Sequence, residues 1–224
     1  ILTIDTSGSF IRIALANTRG LINQKSVPSK QASKKVLFLI DEILRDSNVS
    51  IGELDCIGIV SGPGSFTGLR VGIGIAQGLS MAHQIPLVGV SILELLAKTA
   101  SKLVGSDHFL VALKARESEV YIGAYKVCSH SIDLIGNESV LNFIEGSDAI
   151  PELYLSEWVG VGNGWQHKIQ LENKLGISID DVFVDIDYNI EDLIELSYQN
   201  KKDNKAESSG ILLPNYVKEE LDYS

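Results

Sequence analysis

The chain has little of what catalytic metal and phosphate sites are usually built from. Among its 224 residues there are two cysteines and four histidines. Cys56 falls in an expected strand and Cys128 far from it in sequence, so they read as two small buried thiols rather than a disulfide. His83, His108, His130 and His167 are scattered with no His-x-x-x-His pair, which excludes the adjacent-turn imidazoles that hold iron or zinc on a helix. The His-Glu-x-x-His of metallopeptidases is missing as well. No basic stretch leads into an apolar one at the start, and position 1 is Ile rather than Met, which reads as a trimmed terminus. Residues 69–90, the nearest approach to a membrane span, contain Arg70, His83 and Pro86. A cytoplasmic protein is expected.

Positive charge is scarce, and most of all in the second half. The formal net charge of −10 divides into +2 for residues 1–108 and −12 for residues 109–224. The second half repels phosphate, which argues against tight direct binding of nucleic acid, since such binding draws mainly on phosphate neutralisation. A weakly basic strip, Lys25, Lys30, Lys34 and Lys35, reads as solvated surface.

What the chain does have is glycine in one place. Ser61-Gly-Pro-Gly-Ser-Phe-Thr-Gly-Leu-Arg70 leaves a β-rich run at residues 56–60 and enters a helix carrying Gly72, Gly74 and Gly78. Ser65 or Thr67 is placed to cap that helix, and Gly64 and Gly68 allow backbone to approach backbone. Each interior glycine costs about 1 kcal/mol against alanine, so close packing must offset the loss. Val71, Ile75, Leu79 and Ala82 share one face, Leu69, Ile73 and Ala76 a second, and Gly74 and Gly78 stand at the remaining edge, open to another helix. The loop is no Walker A motif, because Leu69 and Arg70 follow Gly68 where lysine is needed; Thr67 breaks the Rossmann fingerprint.

The rest of the pattern predicts an α/β fold. Residues 1–26 read as a three-stranded meander. A helix over residues 33–48 gathers Val36, Leu37, Leu39, Ile40, Ile43 and Leu44 on one arc and leaves Phe38 outside it. A strand at residues 85–90 precedes Ser91 and Glu94, spaced as a capping box. From Phe109 a second meander echoes the first: Asp5-Thr-Ser-Gly-Ser-Phe-Ile-Arg-Ile13 aligns without gaps on Lys114-Ala-Arg-Glu-Ser-Glu-Val-Tyr-Ile122. Trp158-Val-Gly-Val-Gly-Asn-Gly-Trp165 gives a further strand and glycine turn, and residues 200–210 read as polar and mobile. Two related lobes are expected, an N-terminal lobe over residues 1–108 and a C-terminal lobe over residues 109–224.

Duplicated meander-and-helix lobes with Asp5 ending the first strand resemble the actin, Hsp70 and sugar-kinase superfamily, whose lobes are ribonuclease H-like with mixed five-stranded sheets. The segments Ile1-Leu-Thr-Ile-Asp-Thr-Ser, Ser61-Gly-Pro-Gly-Ser-Phe-Thr-Gly-Leu-Arg-Val-Gly, Ile85-Pro-Leu-Val-Gly-Val-Ser and Pro214-Asn-Tyr-Val-Lys narrow the resemblance to the bacterial TsaB, or YeaZ, family. That resemblance implies a non-catalytic role in making threonylcarbamoyladenosine beside the anticodon of certain tRNAs. The partner would be the transferase TsaD, with the ATPase TsaE joining the complex and tRNA engaged indirectly. It further implies docking through N-lobe helices, here Phe38, Leu69, Ile73, Gly74 and Gly78, and a homodimer through the same surface when the partner is missing. Asp5, Thr6, Ser7 and Gly8 would be a vestigial nucleotide or phosphate region, with neither cofactor nor metal. The chain departs from the family pattern at Gln31-Ala32-Ser33 and at Lys114-Ala115-Arg116. A stand-alone ATP-dependent phosphotransferase of the sugar-kinase type, using Asp5 and the Thr6-Ser7-Gly8 turn, is the alternative.

Overall fold

The computed structural model describes residues 1–30, 32–128, 131–144, 157–203, 212–215 and 217. His130, Lys218 and residues 204–210 lie outside them.

Two five-stranded mixed sheets organise the chain, and their strand orders are the same. The first contains β1 (Leu2–Asp5), β2 (Phe10–Asn17), β3 (Gly20–Pro28), β4 (Ile57–Gly62) and β5 (Leu87–Ser91) in the order β3-β2-β1-β4-β5. The second contains β6 (His108–Arg116), β7 (Glu119–Val127), β8 (Ile132–Asn142), β9 (Val159–Val161) and β10 (Val182–Phe183) in the order β10-β9-β6-β7-β8. Each begins with an antiparallel meander whose first strand then pairs in parallel with the strand after it. The internal echo in the sequence is therefore an architectural duplication. Its ungapped register holds at the tip, where Arg116 faces Glu119, and slips by one residue at a bulge between Lys114 and Arg116.

The first compact unit comprises Ile1–Ile92 and Asn189–Tyr216, the second Leu93–Tyr188 and Val217–Ser224. A boundary at 108/109 is thus not where the contacts divide. Helix α3 (Ile92–Leu103) groups almost wholly with the second unit and α5 (Ile190–Lys202) with the first, where it packs on β1, β2, β4 and β5. Ser197 of α5 lies directly over Gly58, and a Cβ there would collide with its side chain. Residues 200–202, expected to be mobile, are the last turn of α5, and Asn200 is buried.

β1 is buried along its whole length because β2 and β4 flank it on both sides. Its Leu2 and Ile4 meet Ile11, Ile13 and Leu15 of β2, Ile57 and Ile59 of β4, and Val36, Ile40 and Ile43 of α1 (Ala32–Asp46). In the second unit Leu110, Val120, Ile122, Leu141, Trp158 and Trp165 form the core with Leu171 and Leu175 of α4 (Lys168–Leu175). The buried indole of Trp165 donates to the Leu110 carbonyl at 2.9 Å, which satisfies the one polar atom that the ring carries inside. No helix among the described residues is long and apolar enough to cross a membrane.

Candidate functional site: a filled turn and an open helix face

β4 ends at Ser61, Gly62 and the cis Gly62-Pro63 bond, and α2 (Phe66–His83) begins three residues later. Ser65 caps it, its hydroxyl accepting from the Gly68 N–H at 3.3 Å. The turn that follows β1 is tied to this helix. Thr6 Oγ1 donates to the Gly68 carbonyl at 2.7 Å, the Ser65 N–H donates to the Ser7 carbonyl at 2.7 Å, and the Ser7 N–H donates to Asp5 Oδ1 at 2.7 Å. Glycine is what lets the two come so close. A Cβ at Gly64 would stand 2.8 Å from the Cβ and carbonyl of Ser7, one at Gly68 would overlap the Thr6 carbonyl, and one at Gly72 the Thr6 hydroxyl. Gly68 and Gly72, four apart, share one face of α2, and Gly64 lies in the turn just before its cap.

Asp5, Thr6 and Ser7 are buried and Gly8 is exposed. Where a phosphotransferase would aim this turn at a phosphate, here its hydroxyl and carbonyls hold α2. Among the described residues no group of three His, Cys, Asp or Glu is placed to share a metal ion. The second unit carries a His108–Asp107 contact of 2.6 Å, with the ring edge-on to Trp158 at 5.3 Å. Ser106 completes no triad with them, because its hydroxyl meets the His108 backbone rather than the imidazole.

Among the described residues of its unit, nothing covers the opposite face of α2. A Cβ at Gly74 or at Gly78 would meet nothing within 4 Å. Met81, one turn on, is 69% exposed, and Phe66 is exposed beneath the Arg70 guanidinium, which sits 3.6 Å from its ring centroid. Helix α1 packs beside α2 and presents Phe38, 63% exposed.

Two expected surface residues are not there. Leu69 and Ile73 are 1% and 3% exposed and belong to the core with Ile4, Ile57 and Ile59. With 3.6 residues per turn, Leu69, Ile73, Ala76 and Ser80 face inward, while Gly74, Gly78 and Met81 recur on the far side of the axis. Val71, Ile75 and Leu79 are half-buried along the flank of the same core. Leu37 was expected inside the α1 arc and is instead 52% exposed, next to Phe38. The exposed apolar positions of these two helices are thus Leu37 and Phe38 on α1 and Phe66, Gly74, Gly78 and Met81 on α2. Sequence reasoning missed Leu37 and Met81; a wheel centred on Gly74 would have found Met81.

Lys25, in the strip expected to be solvated surface, is ion-paired there: its ammonium lies 3.0 Å from Asp46 and 3.2 Å from Glu42, which raise its pKa. One further expectation is corrected. Of the two thiols only Cys56 is buried, and that burial pushes its pKa up; Cys128 is exposed. Both are free.

Residues 21–159 match the family model described as TsaD: tRNA N6-adenosine threonylcarbamoyltransferase. The chain is 34% identical over 182 residues to the "tRNA threonylcarbamoyladenosine biosynthesis protein TsaB" of Escherichia coli K12, covering 81% of this chain and 78% of that protein. It is 33% identical to the protein of that name from Buchnera aphidicola subsp. Schizaphis graminum, over 78% of this chain and 83% of that protein. The solved structure of YeaZ from Pseudomonas aeruginosa superposes with a TM-score of 0.81 at 28% identity, covering 96% of this chain and 98% of that one. Identity and coverage at this level, with the same two-sheet architecture, give the conclusion that the chain belongs to the TsaB (YeaZ) family.

Proposed function

We infer that this chain acts in the formation of threonylcarbamoyladenosine in tRNA as a non-catalytic subunit, docking on a TsaD-type transferase through the outer face of α1 and α2. The names of its relatives supply the pathway. The observation that carries the docking is the stripe of Gly74, Gly78 and Met81 on α2, which no described residue covers, with Leu37 and Phe38 exposed on the neighbouring α1. Glycines spaced by four leave a groove in which a second helix can approach at backbone distance, and exposed aromatic and methionine side chains supply adaptable apolar contacts at its rim.

The match to a transferase family model over residues 21–159 supports the choice of partner. A subunit built like its partner can meet it about a pseudo-twofold axis, helix pair against helix pair, much as two copies of the chain would meet in a homodimer when the transferase is missing. A TsaE-type ATPase then joins through the complex, and tRNA is engaged through the transferase. The phosphotransferase alternative is not favoured, because Thr6 and Ser7 are spent on holding α2.

Reconstitution tests this directly. Threonylcarbamoyladenosine formation by the TsaD-type and TsaE-type proteins of the same organism should require addition of this chain, and the chain alone should neither modify tRNA nor phosphorylate sugars. Full activity without it would contradict the assignment.

A further inference from the structure

Residues 212–215 lie against the first unit as a short strap. The Leu212 side chain covers Gly89 of β5, where an added Cβ would come within 2.9 Å of Leu212 Cδ1. The Asn215 N–H donates to the Ser61 carbonyl at 2.8 Å, and the Asn215 carbonyl sits over Gly62, whose φ of +129° and missing side chain let it approach. Between these two anchors the strap also holds α2: Gln77 Nε2 donates to the Leu212 carbonyl at 2.8 Å, a contact spanning 135 positions of sequence. Gln77 is half-buried and sits one residue before Gly78, on the border between the inward face and the open face.

We propose that this strap is a positioning element of the docking surface, with Gln77 as the residue through which it sets the placement of α2. The inference rests on the functional reading above in one respect only, that the open face of α2 meets the transferase. α2 contains Gly68, Gly72, Gly74 and Gly78, so its intrinsic preference for the helical state is low and its position depends on what is packed against it. The turn after β1 pins its first half through Thr6 and Ser7. The strap pins its second half, where Gly74, Gly78 and Met81 lie. A strap that favours the binding-ready position of α2 strengthens partner association, and by reciprocity the partner tightens the strap by the same factor.

Leu212→Ala tests the coupling without touching the open face, because the Leu212 side chain packs on Gly89 of β5 and against the core of the first unit. Affinity for the TsaD-type subunit should fall about fivefold or more. Amide exchange at Asn215 should slow in the complex of the unsubstituted chain by a matching factor. Gln77→Leu should also weaken binding, and Gln77→Lys, which keeps a donor of similar reach, should restore it. Unchanged affinity in Leu212→Ala, or Asn215 exchange indifferent to the partner, overturns the coupling. The strap's hold on α2 is read separately in the isolated chain, where Leu212→Ala should speed amide exchange in the second half of α2; unchanged exchange there overturns that hold. Failure of the unsubstituted chain to bind the transferase at all overturns the functional reading and the coupling together, and leaves the isolated-chain result standing by itself.

Discussion

Thr6 and Gly72 are packed so closely that a single methyl group on Gly72 would overlap the Thr6 hydroxyl, which itself donates to the Gly68 carbonyl one turn earlier. This contact divides the glycines of α2 into two classes. Gly68 and Gly72 face the turn after β1, where no Cβ fits; Gly74 and Gly78 face outward, where a Cβ would meet nothing within 4 Å among the described residues.

The two classes should respond oppositely to alanine. At Gly68 or Gly72 the new methyl must displace Thr6 backbone or hydroxyl, and overpacking of this kind costs about 1–3 kcal/mol or more. At Gly74 or Gly78 alanine meets no neighbour and should stabilise the isolated chain by up to about 1 kcal/mol through helix propensity. Urea unfolding of the four single variants checks this, and a destabilised Gly74→Ala would show that its face is covered.

Stability should fall at alkaline pH in a way that depends on Cys56. Burial raises its folded pKa, so the folded thiol stays protonated while the unfolded one ionises from about pH 8.5. The contribution is fully present below that value and is lost as pH rises through the folded pKa. Tyr198, raised mainly by burial too, acts in the same direction at higher pH. Denaturation midpoints measured across pH 7–10 should drop less steeply in Cys56→Ala.

Acid acts at a different place. The Glu53 carboxylate accepts from both the N–H and the hydroxyl of Ser50, each at 2.7 Å, and these bonds hold its pKa below the usual carboxylate range. Their contribution is present above about pH 4.3, the ordinary value, and is lost as pH falls through the lowered folded pKa. In an NMR titration the Glu53 carboxyl should move up in Ser50→Ala, since the side-chain donor is gone.

The thiols should separate by accessibility. A maleimide at neutral pH should label Cys128 rapidly and Cys56 only as fast as the first unit opens, because the first is exposed and the second buried. Equal rates would contradict the burial of Cys56, which immediately precedes β4.

Much of this was legible in the residues. The glycine spacing marked α2 and its close approach, the ungapped echo of Asp5–Ile13 in Lys114–Ile122 marked the duplication, and Phe38 stood outside its helix arc in the sequence as it does in the fold. The exchange of final helices was not legible: α5 resembles any amphipathic helix until Gly58 is seen to make room for Ser197. Leu69 and Ile73 were misplaced because a glycine-rich helix with two apolar faces does not say which of them the sheet covers. The strap was hidden for a related reason, since its bonds run largely through backbone carbonyls and amides.

The most direct test is the association of this chain with the TsaD-type subunit of the same organism, followed by light scattering on size-exclusion fractions, for the unsubstituted chain and for Gly74→Leu. The unsubstituted chain should form a heterodimer that replaces any homodimer, and Gly74→Leu should remain folded and monomeric in the same mixture, its side chain filling the open groove. A Gly74→Leu chain that binds with undiminished affinity would contradict the placement of the docking surface on the outer face of α2.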